Sequence, residues 1–466
     1  MNLAIAPYFT NDAVVLGILL VVLASIFYTS SLETPGWRKF YTFVPGLLLA
    51  YFLPAILNFP LGLIAPHWYE DSLYTLLENY NLVLPSGLSY DGITEFLAEN
   101  GVPKEEYKAV QGHSSLYFVA SRYLLPASLV LLCLGIDFKG LMGLGSKALI
   151  MFFTATIGII VGGPVALLII SYLFPDIIGG SPDEIWRGLS TVAGSWIGGG
   201  ANQTAMKEIF EVKDNLFGTM IVVDVVVANI WMGFLLYGAN ISDKIDRWLK
   251  ADNSSIEDLK QRVADYRAGI MKMPNVTSLF VLMAVAFGGV ALSHWGSDVI
   301  TPWMKTFKEQ LSAMRLNSLM NEFFWLIVIS TTIGMTLAVT KARKLEGIGA
   351  SRWGSIFIYI LVATIGMKMN LGEVAKNLGL FAIGISWMLV HVILLLVVAK
   401  IIKAPFFFVA VGSQANVGGA ASAPVVASAF STSLAPVGVL MAVLGYALGT
   451  YGAIICATLM QMVSSS

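Results

Sequence analysis

Charge is what this chain has least of. Charged residues make up 12% of its 466 positions, against about 25% in an average soluble protein. That density is too low to cover a soluble surface of ordinary size, which excludes the water-soluble globular class. The two signs nearly cancel, at a formal net charge of −1, so the basic field that nucleic-acid binding requires is missing. Cysteine is almost absent too. Cys133 and Cys456 both stand deep in apolar sequence, too few for a disulfide framework or a zinc site. No Ser-His-Asp order, HExxH sequence, Walker sequence or Rossmann fingerprint occurs in a supporting context, and no enzyme activity is expected. Met1 to Asn11 holds no Lys or Arg ahead of the first apolar run. That argues against a cleaved signal peptide and for a retained first span.

What the chain has is apolar length. Hydrophobic residues make up 57%. Runs long enough to cross a bilayer, about 17–25 residues, occur at 12–31, 42–65, 116–136, 147–174 and 215–238. They recur at 277–295, 322–340, 353–370, 378–400 and 433–460. The expected fold is an all-α polytopic membrane protein with ten spans, five in 1–240 and five in 276–466. The hydrophilic segment 241–275 between them reads as a cytoplasmic linker or surface helix.

Two glycine-rich stretches interrupt this pattern at corresponding places, between the fourth and fifth run of each half. The first reads Gly194-Ser-Trp-Ile-Gly-Gly-Gly-Ala-Asn-Gln-Thr-Ala205, within 188–212. The second reads Gly412-Ser-Gln-Ala-Asn-Val-Gly-Gly-Ala-Ala-Ser-Ala423, within 405–430. Arg38 and Lys39 follow the first span and nothing basic precedes it, so the N-terminus is read as outside. If both stretches enter the membrane and return, more than half of the 28 basic residues fall in the cytoplasm, including the linker's Lys244, Arg247, Lys250, Lys260, Arg262, Arg267 and Lys272. If the first stretch spans instead, well under half do. The charge bias therefore favours two re-entrant hairpins, and five spans per half then give two inverted repeats, a common transporter plan.

The flanks repeat as well. Leu132-Cys-Leu-Gly135 and Ala363-Thr-Ile-Gly366 each end the third span of a half, and Gly218 and Gly438 open the fifth spans. The first half is longer before its break by a polar loop expected around Gly179 to Trp186. Outside loop 67–115 is rich in Asp and Glu, with Lys104 and Lys108 its only lysines. It has room for short helices at 93–100 and 104–110 and reads as a solvated cap.

A re-entrant tip leaves backbone N–H and C=O groups unpaired, so it must face protein, water or a ligand. Gly198, Gly199, Gly200, Gly418 and Gly419 permit positive φ and close backbone approach. Ser195, Asn202, Gln203, Thr204, Ser413, Gln414, Asn416 and Ser422 add neutral donors and acceptors, the candidates for binding a solute. Such a set coordinates Na+ through oxygens or holds a carboxylate through N–H groups and half-helix N-termini. The structural alternative is close packing of small residues with polar glue. Asp224, in Ile221-Val-Val-Asp-Val-Val-Val-Ala-Asn229, lies well inside a span, where an ionised Asp costs about 2.5–3.5 kcal/mol. It is the candidate cation or proton site, with Asn229; the alternative is an Asp satisfied by a neighbouring helix. The matching position of the second half is near Leu444, so the acid is not duplicated. His391 reads as a packed neutral group bonded to a neighbour rather than a proton relay, and Arg122 as a side chain snorkelling to the interface.

The run from Gly194 through Lys207-Glu208 and the run Val411-Gly-Ser-Gln-Ala-Asn-Val-Gly-Gly419 resemble a bacterial and plastid membrane family known as domain of unknown function 819. The resemblance covers essentially the whole chain. Through it the chain is distantly similar to sodium-coupled glutamate and citrate symporters and to the cation/proton antiporter and bile-acid symporter group. What the resemblance implies is an elevator, in which a core holding both hairpins moves against a scaffold of spans one, two, six and seven that forms a homodimer. The expectation is a secondary transporter of a small anionic organic solute, coupled to Na+ or H+, in the inner membrane. No cofactor, no nucleic-acid partner and no metal beyond a coupling Na+ is expected. A cation/proton antiporter and a non-transporting receptor or assembly subunit are the alternatives.

Overall fold

Apolar length is spent almost entirely on helix, because a helix satisfies its own backbone where lipid cannot. The computed structural model describes residues 6–44, 46–85, 88, 90–136, 138–174, 181–252, 275–314, 316–369, 378–431 and 434–464. In chain order the helices are α1 (Asp12–Ser30), α2 (Pro35–Phe43), α3 (Gly46–Asn58), α4 (Ser72–Asn79), α5 (Tyr90–Glu99), α6 (Lys104–Ala109), α7 (Leu116–Leu134, with a π turn at Ala120–Leu124) and α8 (Phe138–Gly143). There follow α9 (Ser146–Leu173), α10 (Pro182–Ile209), α11 (Asp214–Asn240), α12 (Ser242–Leu249), α13 (Val276–Lys305) and α14 (Lys308–Ala313). The last are α15 (Glu322–Ala338), α16 (Ala350–Gly366), α17 (Leu378–Ile402), α18 (Phe406–Val417), α19 (Gly419–Phe430) and α20 (Ala435–Ser464).

Among the described residues, seven helices are long and apolar enough to cross a membrane: α1, α7, α9, α11, α13, α17 and α20. An eighth is reached if α15 is counted with the 3-10 turn Lys341–Ile348, to which it is bent by 96°. Ten full-length spans are therefore not what forms. The 42–65 run yields α3, of 13 residues, and the 353–370 run yields α16, of 17. At 1.5 Å per residue these reach about 20 and 25 Å, short of a hydrocarbon core of about 30 Å. Both shorten for local reasons. Leu57 to Asn58 lead into a turn that ends at Gly62, with φ 61°. At Gly366 a Cβ would sit 2.2 Å from Tyr51 O, and tight turns from Ile365 and Gly366 to Lys368 and Met369 end the helix.

Met1–Arg122 with Tyr359–Gly372 make one compact unit, and Tyr123–Ile358 with Glu373–Ser466 a second. In the first, Asn11 Oδ1 caps α1 by accepting from Ala13 N at 2.9 Å, and Asp12 ties α1 to the chain before α7 through Ser114 Oγ at 2.6 Å. Loop 67–115 does contain helices near 93–100 and 104–110, as α5 and α6, but it is more than a cap of loose turns. Strand β1 (His67–Tyr69) pairs antiparallel with β2 (Gln111–His113), Trp68 opposite Gly112, where a Cβ would overlap the indole. Tyr69, Leu73, Leu76, Leu77, Ile93, Leu97 and Val102 form a small apolar core of their own.

The second unit is packed through small residues at helix crossings, which lets backbones approach closely. Gly162 and Gly163 of α9 lie against Trp387 of α17, and Gly334 of α15 lies against Leu129 O and Val130 O of α7. On α13, Phe280, Leu292, Trp295, Val299 and Trp303 are more than half exposed, an outer face suited to lipid. The linker begins as α12; its residues 253–274 fall outside the described ones. Pro182 to Trp186, expected in a polar loop, are instead the start of α10. Ser181 caps them from Oγ to Glu184 N at 3.3 Å, with Pro182 at the first position and Asp183 and Glu184 against the helix dipole.

Candidate functional site

Both glycine stretches double the chain back on itself. In α10 the backbone leaves helix at Gly199, φ 73° and ψ −172°, a conformation that essentially only glycine adopts. A Cβ on Gly194 would lie 2.6 Å from Asn202 O. Residues eight apart in a straight helix are separated by about 12 Å, so the two arms fold against each other. In the second stretch α18 ends at Val417 and α19 starts at Gly419, φ 60°. There Gln414 Nε2 donates to Ser422 Oγ at 2.7 Å, again across eight residues.

The open ends of these folds lie at opposite ends of α11. Arg187 Nη1 of the first arm donates to Phe210 O at 2.8 Å, and Lys213 pairs with Glu184, all at the start of α11. Phe406 N, opening α18, donates at 2.7 Å to Asp246 Oδ1 in α12, just beyond the far end of α11. Nearby Lys147 Nζ meets Asp252 at 3.0 Å and Lys403 O at 3.3 Å. A helix of 27 residues separates the two bases, about 40 Å at helical rise.

The closed ends meet on α20. A Cβ at Gly445 would lie 2.6 Å from Ile197 O and 3.5 Å from Ala415 O, one carbonyl from each stretch. Gly449 and Gly198 are packed backbone to backbone. Asn202 and Asn416 then pin each stretch to a long helix by the same device. Asn202 Nδ2 donates to Gly198 O at 3.0 Å and Tyr446 O at 2.9 Å, while Oδ1 accepts from Thr450 Oγ1 at 2.6 Å. Asn416 Nδ2 donates to Gly412 O at 3.0 Å and Phe152 O at 3.3 Å, while Oδ1 accepts from Thr156 Oγ1 at 2.8 Å. In each case the long helix offers a carbonyl and, four residues on, a threonine. Thr450 continues to Thr331 of α15 at 3.1 Å.

Asp224 is 5% exposed and is held by the first stretch. Trp196 Nε1 donates to Oδ1 at 2.7 Å, Gln203 Nε2 donates to Oδ2 at 3.0 Å, and the Ser195 hydroxyl faces the same carboxylate. Asn229 is not brought to it. Its Nδ2 bonds Val225 O of its own helix at 2.7 Å. Thr204 likewise turns to its own backbone, Oγ1 to Gly200 O at 2.9 Å. In the second stretch Ser413 Oγ accepts from Trp231 Nε1 at 2.8 Å and lies 2.8 Å from His391 Nε2. His391 Nδ1 faces Ala155 O at 3.1 Å, and a carbonyl only accepts, so Nδ1 carries the hydrogen and Nε2 accepts from Ser413. His391 is thus a satisfied, packed, neutral group. Two atoms stand out as unmet: Gln203 Oε1 and Gln414 Oε1 are buried with no hydrogen-bond partner, one in each stretch.

Sequence reasoning passed over Trp196, Trp231, Thr156 and Thr450. The two tryptophans carried a usable signal, since an indole N–H in an apolar interior needs an acceptor. Among the described residues no group of three or more His, Cys, Asp or Glu comes together to hold a metal ion.

A helical chain with this many lipid-length elements and a buried polar centre is an integral multi-pass membrane protein. It belongs to a family described as protein of unknown function (DUF819), whose model matches residues 109–463. It is also similar to YjcL of Bacillus subtilis (strain 168), called an uncharacterized membrane protein, at 24% identity over 354 residues. That match covers 72% of this chain and 82% of YjcL.

Proposed function

We propose that the protein is a secondary active transporter of a small anionic organic solute, coupled to Na+ or H+. The observation that carries this reading is the meeting on α20 of two folded-back, glycine-broken stretches that start from opposite ends of α11. Backbone broken at membrane depth is tolerated only where it is buried in protein or lines a cavity, and transporters place solute and ion at such breaks. The doubled arms are re-entrant hairpins entering from opposite faces, and the surrounding halves are inverted repeats. The N-terminus is outside, the protein sits in the inner membrane as a homodimer, and the core that carries both hairpins moves as an elevator. Half-helix N-termini at Gly200 and Gly419 supply N–H groups for the solute's negative charge.

A second reading, cation/proton antiport, draws on Asp224, a buried carboxylate with no ion pair among the described residues. Uptake assays in proteoliposomes separate the two. Accumulation of carboxylates driven by an imposed Na+ or H+ gradient supports the first. Gradient-driven proton exchange with no solute uptake would favour antiport. Neither activity in correctly inserted protein would remove transport itself.

A further inference from the structure

Gln203 has a fixed orientation and an unfinished one at the same time. Its Nε2 donates to Asp224 Oδ2 at 3.0 Å, and a carboxylate oxygen only accepts, so the amide nitrogen must face Asp224 and the oxygen must face away. The side chain is 1% exposed, yet Oε1 has no partner. A buried carbonyl oxygen left unpaired is costly, which makes this atom a receiver for a donor or a cation.

Charge decides which. None of the ion pairs made by Lys147, Arg187, Lys207 and Lys213 reaches Asp224. Its hydrogen-bond partners, Trp196, Gln203 and the Ser195 hydroxyl, are all neutral. In its ionised form Asp224 is thus buried without a counter-charge, a state that favours a cationic group close by. Both carboxylate oxygens are already engaged, whereas Gln203 Oε1 is free. An amide that donates to a carboxylate is polarised, and its oxygen becomes the better acceptor. At the second stretch Gln414 Oε1 is equally unmet, but its Nε2 is held by the neutral Ser422 Oγ.

We propose that Gln203 Oε1 ligates a monovalent cationic group at the first break, and that Asp224 is a positioning residue which orients the amide and supplies the charge. This rests on the transport reading above and replaces Asp224 and Asn229 as direct ligands. The cationic group is Na+ or an ammonium carried by the solute, which share this chemistry.

The test uses purified full-length protein and its thermal unfolding midpoint. NaCl, ammonium chloride or methylammonium chloride is titrated at constant ionic strength against choline chloride. Wild type is stabilised saturably by at least one of them. Gln203→Asn, which withdraws the oxygen by one methylene, and Gln203→Met, which deletes it, raise the half-saturating concentration by about tenfold or more. Asp224→Asn keeps an acceptor for Gln203 Nε2, loses the charge, and raises it as well. Asn229→Ala leaves it unchanged. A response to Na+ assigns the group to the free ion, and a response to ammonium salts alone assigns it to the solute. Wild-type half-saturation in Gln203→Asn overturns the proposal, and that variant decides the matter if Gln203→Met does not fold. So does a wild type that answers to none of the three salts. If that same protein still accumulates solute on a proton gradient, transport stands while this proposal falls. Na+ binding through Gln203 without any transport does the reverse.

Discussion

At the first break Trp196 and Gln203 hand their N–H groups to a carboxylate, Asp224; at the second Trp231 hands its N–H to a hydroxyl, Ser413, which passes its own hydrogen to His391. The backbones are alike. Each stretch turns at a glycine with positive φ, each doubles back within eight residues, and each is pinned by an asparagine to a carbonyl and a threonine of a long helix. The side chains divide the labour. One break holds a carboxyl group and an oriented amide, and the other closes a neutral chain that ends on Ala155 O. Under the proposed transport reading, the likeness of backbone fits a shared movement, and the unlikeness of side chains fits one acidic and one neutral subsite.

The largest effects should come from breaking the shared backbone. Gly199→Val places a β-branched residue at φ 73°, a strain of about 1–3 kcal/mol. Gly418→Val sets a Cβ within 1.8 Å of Ser422 Oγ. Both variants should insert and fail to transport in proteoliposomes, and normal uptake by either would remove that break from the working site.

Next comes the division of chemistry. Asp224→Leu leaves two buried N–H donors without an acceptor, at about 1–3 kcal/mol each. Ser413→Ala strands one indole donor and one imidazole acceptor without exposing a charge. Thermal unfolding should show the larger loss for Asp224→Leu together with lost cation dependence, and equal behaviour of the two would erase the contrast between charged and neutral breaks. A finer difference separates the two pins. Asn202→Ala should cost more than Asn416→Ala, by about 1 kcal/mol, because Thr450 also reaches Thr331 of α15. Equal midpoints would mean the extra link carries no weight. The gentlest test leaves the fold intact. Lys213→Cys and Lys403→Cys, both at exposed positions at the bases of the two stretches, should react with an impermeant maleimide from opposite sides of the membrane. The native Cys133 and Cys456 are buried and give little background. Labelling of both from one side would undo the opposed entry.

Much of this was legible in the residues. Gly199 and Gly419 could be picked out as turning points because apolar helices have little other use for runs of glycine. Asp224 stood out through its valine neighbours. Its partners did not, because an indole N–H and an amide on another helix leave no trace in local spacing. Asn229 illustrates the limit of proximity along a helix: at about 100° per residue it points away from Asp224 and bonds Val225 O instead. The shortening of α3 was hidden because Phe59, Leu61 and Leu63 keep the run apolar through a turn. Strands of three residues are too short to show alternation, so the pairing of His67–Tyr69 with Gln111–His113 could not be read either.

Gly445 carries a consequence for how such a molecule can change. The two stretches are free to change separately wherever each has its own neighbours, as Trp196 has in Asp224 and Gln414 has in Ser422. At Gly445 they share one: a Cβ there would lie 2.6 Å from Ile197 O, too close to stand, and 3.5 Å from Ala415 O, in ordinary contact. An alanine there demands a shift of the first stretch, while a larger side chain has the second stretch beside it as well. One position on α20 therefore bears on both breaks, and a substitution at it is felt first at the first.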